Sequence, residues 1–368
     1  MHRRRFVKWG VLSGASLPAL QTLHAKAPDY TKTGAKLIGG RTPLADGFRM
    51  PGEWERHQGT IMVFVPAQNW KGYGLEDARK EWASVANTVS QFEPVTMVVN
   101  PPDKAIAGKM LSSKIKKLYL PVNDGWARDS GPMFLKGPNQ ERRVAGFTFN
   151  GWGAKFPPYD DDALLKARLA AHFRSEMYVS PVVVEGGGVL QDGEGTVITT
   201  EECLLHRNRN PRMKKADVEQ ALKDYLGAKK VIWIAKGLTP DPITNGHVDG
   251  IAAFVKPGVV LLHRTDRRLD PNYKRLKDAK ERLLETKDAK GRSLKVIDVP
   301  LADHVAHMNF YICNGAVIVP TENNPKADEP ALEVLRESFP NRQVIGVSGV
   351  ILSKGGGGVH CITQQIPA

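Results

Sequence analysis

Short apolar runs alternate with longer amphipathic stretches along most of the chain. Short β-branched and aliphatic runs predict strands, whereas apolar residues three and four positions apart predict helices. Strands are expected at 60–65, 96–99, 144–149, 182–184, 197–199, 231–234, 251–255, 259–263, 295–299, 310–312, 316–319 and 343–346. Helices are expected at 75–92, 161–172, 214–226, 272–286 and 329–339. Pairs of strands surround the helices instead of alternating strictly with them.

No linker rich in Pro, Ser or Gly interrupts this pattern, and no repeat of fixed period is visible. We therefore predict one α/β domain over residues 28–368. Apolar residues at 344–347 and 350–352 also predict strand. The four glycines at 355–358 weaken any regular element, because glycine loses the most backbone entropy on ordering. Cys361 is thus expected in a loop just beyond a strand end.

Composition indicates a soluble globular protein, with 41% hydrophobic, 25% charged and 7% aromatic residues. The formal net charge is +13, of which residues 1–27 supply five basic groups and no acid, leaving +8 for the remainder. The basic segments at 207–215 and 274–292 alternate with acidic or apolar residues. They lack the interleaved aromatics or motif of a nucleic-acid surface, so we expect no nucleic-acid partner.

The first residues predict a targeting segment. Arg3-Arg4, the spacer Arg5 and then Phe6-Val7-Lys8 are typical of a twin-arginine export signal. The weakly apolar stretch at 9–23 is too short and too broken by Gly, Ser and Pro to span a bilayer. We expect residues 1–27 to be read by the twin-arginine export machinery, which would make the protein periplasmic or secreted. A basic amphipathic anchor is the alternative.

The three cysteines, Cys203, Cys313 and Cys361, fit no disulfide framework. Cys313 lies in an apolar run and is expected in the core. Cys361 follows the glycine run in a loop, as a nucleophile would. The alternative is a small buried residue near the chain end.

Polar residues and glycines gather at five strand boundaries, at 123–132, 185–188, 192–196, 245–250 and 355–361. Loops on a rigid scaffold favour function, and these would form an acid-lined pocket with a cysteine and a histidine. Amide hydrolysis develops negative charge on oxygen, which carboxylates oppose. A planar guanidinium instead donates paired N–H bonds to two carboxylates, and its charge favours the thiolate. A histidine would then protonate the departing amine. The set therefore predicts a guanidine substrate.

A metal centre is the competing interpretation. The sequence has no His-Glu-x-x-His and no Cys-x-x-Cys. Asp303-His304-Val305-Ala306-His307 offers ligand types at helical spacing, but a polar lead-in to a strand with surface histidines is favoured over zinc. No Gly-Lys-Ser/Thr follows the glycine loops, which argues against phosphate binding there. Hydrolysis of a guanidine by a cysteine requires neither a metal nor an organic cofactor, so we expect none.

Taken together, the motifs resemble the agmatine deiminase family, grouped with the bacterial-type peptidyl-arginine deiminases. The residues that carry the resemblance are Asn123-Asp124-x-Trp126-x-Arg128-Asp129-x-Gly131-Pro132, Glu185-Gly186-Gly187, Asp192-Gly193-x-Gly195-Thr196, Gly246-His247-x-Asp249 and Gly355-Gly356-Gly357-Gly358-x-His360-Cys361-Ile362-Thr363-Gln364-Gln365. Supporting motifs are Met50-Pro51-x-Glu53-Trp54-x-x-His57, Phe149-Asn150-x-Trp152-Gly153-x-Lys155, Pro157-Pro158-Tyr159-Asp160 and Asn309-Phe310-Tyr311-x-x-Asn314-Gly315-Ala316. The resemblance covers residues 45–368.

The resemblance implies a five-bladed α/β propeller of ββαβ units around a central pocket. It implies Cys361 as nucleophile, His247 as general acid/base, Asp129 and Asp249 as the carboxylates that grip the guanidinium, and Glu185 as the acid that positions the histidine or helps to hold substrate. Substrate-binding positions would be Trp126, Asp124 and Gly358. The alternatives are a core aromatic for Trp126, a loop-tying pair of Asp124 with Arg128, and a rim carboxylate for Glu194.

The implied reaction converts agmatine to N-carbamoylputrescine and ammonia through a thiouronium intermediate, a step of putrescine biosynthesis. Deimination of peptidyl-arginine, hydrolysis of free arginine with Arg207 or Arg209 on the carboxylate, and amidino transfer remain alternatives. A non-enzymatic, exported binding protein for polyamines or guanidines, with a structural Cys361, is also open. A homodimer is implied by the resemblance alone.

Overall fold

The computed structural model describes residues 28–68, 70 and 74–368, so the predicted export signal lies outside the described residues. The strands are β1 (Leu37–Ile38), β2 (His57–Val63), β3 (Val95–Val99), β4 (Lys116–Tyr119), β5 (Met133–Lys136), β6 (Arg142–Thr148), β7 (Glu176–Val183), β8 (Val189–Gln191), β9 (Thr196–Thr200), β10 (Lys230–Ile234), β11 (Ala252–Lys256), β12 (Val259–Arg264), β13 (Lys295–Pro300), β14 (Tyr311–Cys313), β15 (Ala316–Thr321), β16 (Gln343–Ser348) and β17 (Thr363–Pro367). The helices are α1 (Leu75–Val89), α2 (Lys104–Met110), α3 (Ala127–Ser130), α4 (Gly151–Ala154), α5 (Asp160–His172), α6 (Glu201–Leu204), α7 (Lys215–Leu226), α8 (Tyr273–Glu285), α9 (Pro325–Ser338) and α10 (Val350–Lys354).

The strands form five small sheets that share one plan. In each sheet an antiparallel pair is followed, after a helical segment, by a strand parallel to the second member of the pair. The fourth sheet illustrates this, since β11 is antiparallel to β12, α8 follows, and β13 then pairs in parallel with β12. The sheet orders are β17-β2-β3-β4, β1-β7-β6-β5, β10-β9-β8, β11-β12-β13 and β14-β15-β16. Each sheet therefore contains a ββαβ unit.

The five units close into a ring. The last strand, β17, pairs antiparallel with β2 near the start of the chain, with Gln364 opposite Ile61. Five apolar clusters fill the spaces between successive sheets, and the cluster holding Ile318 and Met97 joins the fifth unit to the first. Burial of apolar surface between every neighbouring pair supplies the main stabilisation. The expected five-bladed α/β propeller is therefore confirmed.

The ring explains how distant motifs meet. The first strand of each unit, namely β17, β5, β8, β11 and β14, lies at one end of its sheet. The segment just before each of these strands carries a polar motif. Those segments contain Cys361, Asp129, Glu185, Asp249 and Asn309, in the order of the strands named above. One structural position, repeated five times, thus supplies the central pocket.

The strand predicted at 350–352 is wrong. These residues form the start of α10 and not a strand, because the buried Glu81 carboxylate accepts the N–H groups of Ile351 and Leu352 at 2.9 and 2.8 Å and so satisfies the first turn. Cys361 therefore precedes a strand, β17, instead of following one. An apolar run this short does not distinguish helix from strand.

The other predicted strands and helices are present, with shifted ends. The strand expected at 182–184 begins earlier, at Glu176, and the helix expected at 329–339 begins at Pro325, where the Asn324 side chain caps it. The short or partly polar elements β1, β4, β5, β8, β17 and α2 were not predicted. Within the described ranges no helix is long and apolar enough to cross a membrane.

Candidate active site

A cleft of about 530 Å³ opens onto the centre of the ring. Its lining includes His247, Asp249, Asn309 and Cys361. These residues come from the segments before β11, β14 and β17, so the fold itself brings them together. Two of the predicted catalytic residues, Asp129 and Glu185, lie directly against His247.

The backbone of Cys361 is fixed on both sides. Its N–H donates to Asn309 Oδ1 at 3.2 Å, and its carbonyl accepts from the Arg128 N–H at 3.0 Å. The sulfur lies 3.5 Å from Asp249 Oδ2. Only 6% of the residue is exposed, which leaves the thiol facing the carboxylate within a largely closed site.

The environment of Cys361 favours the neutral thiol in the free protein. Burial raises the pKa of Cys361 well above its usual value, and the negative charges of Asp249 and Asp129 raise it further. The backbone of Gly358 and the side chain of Asn309 oppose the shift by hydrogen bonding. A cation placed among these carboxylates would cancel the electrostatic part of the shift and favour the thiolate.

Asp129 is oriented by two donors. Trp152 Nε1 donates to its Oδ2 at 2.8 Å and the Gly187 N–H donates to its Oδ1 at 2.9 Å. Burial raises the pKa of Asp129, and Asp249 and Glu185 add to that effect while His247 opposes it. Trp152 itself has a φ of +55°, a left-handed conformation that bulky residues adopt at a cost. The sequence placed Trp152 in a supporting motif without assigning it to the site.

His247 lies between two carboxylates. Its Nδ1 is 3.9 Å from Asp129 Oδ2 and its Nε2 is 3.8 Å from Glu185 Oε2. Burial alone would lower the pKa of His247, but Asp129, Cys203 and Glu185 together raise it well above its usual value. The neighbouring carboxylates thus favour the protonated imidazole, the form that a general acid requires.

Glu185 is charged and buried because a cation accompanies it. Arg209 Nε donates to its Oε1 at 2.6 Å, and neither side chain is exposed. Burial opposes ionisation, but Arg209 and His247 lower the pKa of Glu185 to about 2. Arg209 also donates to the Thr244 carbonyl at 3.0 Å and to Asn245 Oδ1 at 3.0 Å. This guanidinium is thus committed to the protein, which argues against the role in binding a substrate carboxylate that the sequence left open for it.

Gly187 lies where three functional groups converge. A Cβ atom at this position would be 2.6 Å from His247 Nδ1, 2.7 Å from Asp249 Oδ2 and 3.1 Å from Asp129 Oδ1. Real side chains do not tolerate such contacts. Glycine is required here because the backbone passes directly against the three groups.

His360 connects the site to a buried network behind it. Its Nδ1 lies 2.9 Å from Asp249 Oδ2 and its Nε2 lies 2.9 Å from Glu53 Oε2. Arg128 joins the same network through Glu53 at 3.4 Å and Gln365 Oε1 at 2.7 Å. Although burial and Arg128 oppose the charged form, Glu53 and Asp249 raise the pKa of His360. Burial likewise opposes ionisation of Glu53, but His360 and Arg128 lower its pKa to about 2.

Glu53, His360 and Asn309 lie within motifs of the sequence, but no role was predicted for them. Their placement directly behind Cys361 and Asp249 identifies them as part of the site's support. A signal did exist, because the motif of Asn309 lies next to the first strand of a unit, the motif of Glu53 runs into β2, and the motif of His360 contains the nucleophile.

The three predicted substrate-binding positions lie around the glycine run. The Trp126 ring packs with Trp70 and Trp82 beneath Gly357, so closely that a Cβ on Gly357 would be 2.4 Å from it. Asp124 Oδ1 accepts from Trp70 Nε1 at 3.0 Å. A Cβ on Gly358 would lie 2.6 Å from Asn309 Oδ1, so glycine at that position permits the bond between Asn309 and Cys361.

Two other predictions are settled by position. Glu194 forms a partly exposed pair with Arg292 and does not line the cleft described above. His307 is fully buried and lies 2.8 Å from Asp328 Oδ1, so the expectation of surface histidines at 303–307 is wrong for this residue. Its partner is a carboxylate supplied by α9, which no local pattern reveals.

Cys203 and Cys313 are buried free thiols, as expected. Cys203 lies beside His247 and Glu185. Cys313 lies in β14, within the apolar cluster between the fifth and first units.

Comparison with known proteins agrees with this site. A family model described as Porphyromonas-type peptidyl-arginine deiminase matches residues 49–367. An agmatine deiminase of Pseudomonas aeruginosa is 39% identical over 361 residues, which covers 89% of this chain and 97% of that protein. The structure of an agmatine deiminase of Enterococcus faecalis superposes with a TM-score of 0.86 at 37% identity, and covers 90% of this chain and 99% of that one.

A substrate-bound agmatine deiminase of C. jejuni, with a cysteine replaced by serine, gives a TM-score of 0.79 at 25% identity and covers 87% of this chain and 96% of that one. The chain belongs to the Porphyromonas-type peptidyl-arginine deiminase family, and the resemblance found in the sequence is confirmed.

Proposed function

We propose that this protein hydrolyses agmatine to N-carbamoylputrescine and ammonia, with Cys361 as the nucleophile. The observation that carries the proposal is a buried thiol 3.5 Å from Asp249, in a site where His247 Nδ1 also lies 3.9 Å from Asp129 Oδ2. The carboxylates nearest to the Cys361 thiol would repel an oxyanion and attract a cation. This chain aligns with almost the whole length of the relatives named as agmatine deiminases.

The charges of the site define the first step. Asp129 and Asp249 accept the N–H groups of the guanidinium in paired hydrogen bonds, which hold its central carbon over the sulfur of Cys361. The arriving cation lowers the pKa of Cys361, and Asp249 Oδ2 is the acceptor placed to take the thiol proton. Binding and activation of the nucleophile are thereby coupled.

The chemistry then proceeds in two halves. The thiolate forms a C–S bond to the guanidinium carbon, and the protonated His247 gives its proton to the departing nitrogen, so that the C–N bond breaks and ammonia leaves. The resulting thiouronium is attacked by water, whose proton passes to His247. The C–S bond then breaks, Asp249 returns its proton to the sulfur to restore the thiol, and the second water proton passes to solvent as the neutral urea product is released. One water is consumed and one ammonia is formed.

Peptidyl-arginine is the second candidate, supported by the description of the family model that matches residues 49–367. A peptide needs room for backbone on both sides of the arginine, whereas agmatine needs only a channel for its butyl chain. Of the two arginines considered for the carboxylate of free arginine, Arg209 is not available, because it is buried against Glu185. Amidino transfer would use the same thiouronium but an amine in place of water.

The deciding experiment measures ammonia release by the purified protein with agmatine, free arginine and an internal-arginine peptide. Agmatine alone is expected to react, and Cys361→Ala is expected to bind it without turnover. Reaction of the peptide would identify a protein-arginine deiminase instead. An active Cys361→Ala protein would exclude the covalent mechanism, and silence on all three substrates would favour transfer or binding without chemistry.

We also propose that the protein is exported through the twin-arginine machinery and acts in the periplasm or outside the cell, where it would scavenge agmatine towards putrescine synthesis. The support is the sequence Arg3-Arg4-Arg5-Phe6-Val7-Lys8. Replacing Arg3 and Arg4 with lysine is expected to retain the protein in the cytoplasmic fraction, and unchanged fractionation would contradict export by this route. Light scattering on the purified protein tests the homodimer that we propose from the resemblance.

A further inference from the structure

A second thiol lies within the site. Cys203, at the end of the first turn of α6, is completely buried, and its backbone N–H is held by Thr200 Oγ1 at 3.3 Å. Its sulfur, a ring nitrogen of His247 and a carboxylate oxygen of Glu185 all lie within 4.8 Å of one another. Among the described residues this is the one group of three His, Cys, Asp or Glu side chains close enough to share an ion.

Several of these ligand atoms lack hydrogen-bond partners. Glu185 Oε2 and both ring nitrogens of His247 are buried without a hydrogen bond, whereas the other oxygen of Glu185 is taken by Arg209. Buried polar atoms in native structures nearly always have partners, so the unpaired Glu185 Oε2 and His247 Nε2, which lie 3.8 Å apart, indicate a place for a further group. Arg209 leaves that point free because it binds only Oε1 of the carboxylate.

The spacing fits zinc. The His247 Nε2 and Glu185 Oε2 atoms are 3.8 Å apart. Nitrogen and oxygen ligands about 2 Å from a tetrahedral zinc lie about 3.3 Å from each other, so a small side-chain movement suffices. Thiolate, imidazole and carboxylate are the ligand types that zinc takes in proteins, and three protein ligands leave a fourth position for water. His247 lines the cleft, which provides a route of entry.

We propose that Cys203, His247 and Glu185 form a site for Zn²⁺ that inhibits the enzyme reversibly without involving Cys361. Binding displaces the Cys203 thiol proton and the His247 proton to solvent, and both side chains then donate an electron pair to the metal. An imidazole bound to zinc through Nε2 has lost the imidazolium charge and keeps only the weakly acidic proton on Nδ1, so it is a poor acid for the departing amine. This inhibitory consequence rests on the proposed role of His247, whereas the binding of metal does not.

The binding test uses Co²⁺ as a spectroscopic substitute for zinc, added to the full-length Cys361→Ala protein. A thiolate-to-cobalt charge-transfer band in the near ultraviolet is expected, together with its loss on addition of Zn²⁺. The band is expected to disappear in Cys203→Ala/Cys361→Ala and to persist in the matched control Cys313→Ala/Cys361→Ala, since Cys313 lies in the core between other units. Absence of the band from Cys361→Ala, or its survival without Cys203, would overturn the proposal.

The inhibition test compares the Zn²⁺ concentration that halves ammonia release, with each variant referred to its own metal-free rate. Loss of one ligand in Cys203→Ala is expected to raise that concentration by at least about tenfold, with Cys313→Ala matching the unmodified protein. Equal sensitivity of all three proteins would assign inhibition to Cys361 and refute the proposal. If agmatine is not a substrate, the cobalt measurement still decides whether metal binds, so the two failures are distinguishable.

Discussion

His360 Nδ1 lies 2.9 Å from Asp249 Oδ2, and that same oxygen lies 3.5 Å from the sulfur of Cys361. The nucleophile and the histidine before it in sequence therefore meet on one carboxylate oxygen. Glu53 holds the far side of the imidazole at 2.9 Å. The histidine thus fixes the direction of Asp249 and spreads its negative charge into the buried network, which makes His360 a positioning residue.

Replacing His360 with phenylalanine is expected to lower kcat/KM for agmatine by roughly 10- to 100-fold, because a hydrogen bond to a charged group contributes about 1.5–3 kcal/mol. Asparagine at the same position retains a donor towards Asp249 and is expected to recover part of the loss. Steady-state kinetics and thermal melting of both variants provide the measurement. Equal activity of the two variants, or no loss in the phenylalanine variant, would contradict a positioning role.

The raised pKa of Cys361 predicts slow alkylation of the free protein at neutral pH, with a rate that climbs on the alkaline side. Asp249→Asn removes one of the charges that raise this pKa. The midpoint of the alkylation-rate profile is therefore expected to move to lower pH, even though the variant loses turnover. Iodoacetamide labelling followed by mass spectrometry measures it, with Cys361→Ala as background. A midpoint that rises or stays in place would show that Asp249 does not control the thiol.

The sequence predicted the residues to which we assign the chemistry more completely than the residues that hold them in place. Cys361, His247, Asp249, Asp129 and Glu185 stand in glycine-containing motifs, and such motifs mark strand boundaries in any fold. The supports have no local pattern of their own. The contact between Glu53 and His360 spans 307 positions and exists only because β17 pairs with β2 to close the ring.

The fold shows the same division. Long periodic segments such as 75–92 were predicted correctly because their faces are buried in a regular way. The run at 350–352 was wrongly predicted as a strand, because a helix begins there when Glu81, 270 positions away from Ile351, accepts the N–H of that residue. The ring of five units was predicted from the resemblance, because the predicted strands alone are compatible with several sheet orders.

Gly187→Ala is expected to abolish measurable turnover while leaving the rest of the fold in place. The added methyl group would lie 2.6 Å from His247 Nδ1 and 2.7 Å from Asp249 Oδ2, so both groups must move out of the site. Displacement of catalytic groups by about 1 Å costs on the order of 100-fold in rate. Gly39→Ala serves as the control, because nothing lies within 4 Å of a Cβ built there and Gly39 does not line the cleft. Comparable activity in Gly187→Ala and Gly39→Ala would show that the three groups do not converge on Gly187.

The pairing of Glu185 with Arg209 predicts how stability depends on acid. The pKa of Glu185 falls from 4.5 to about 2 in the folded protein. Its contribution to the free energy of unfolding is therefore fully present above about pH 5 and is lost as the pH falls towards 2. Arg209→Met leaves this carboxylate buried without its cation and is expected to lower the free energy of unfolding at pH 7 by about 3–5 kcal/mol.

The deficit of Arg209→Met is expected to shrink between pH 5 and pH 3, because in this range Glu185 of the unmodified protein takes up a proton in the unfolded chain but not in the folded one. In the variant, protonation of Glu185 relieves the buried unpaired charge. Urea unfolding at several pH values measures the difference between the two proteins, so that other titrating groups cancel. Arg336→Met, which breaks an exposed pair with Glu329, is the matched control and is expected to leave the free energy of unfolding almost unchanged. A deficit for Arg209→Met that stays constant across this range would show that Glu185 does not carry the charge assigned to it.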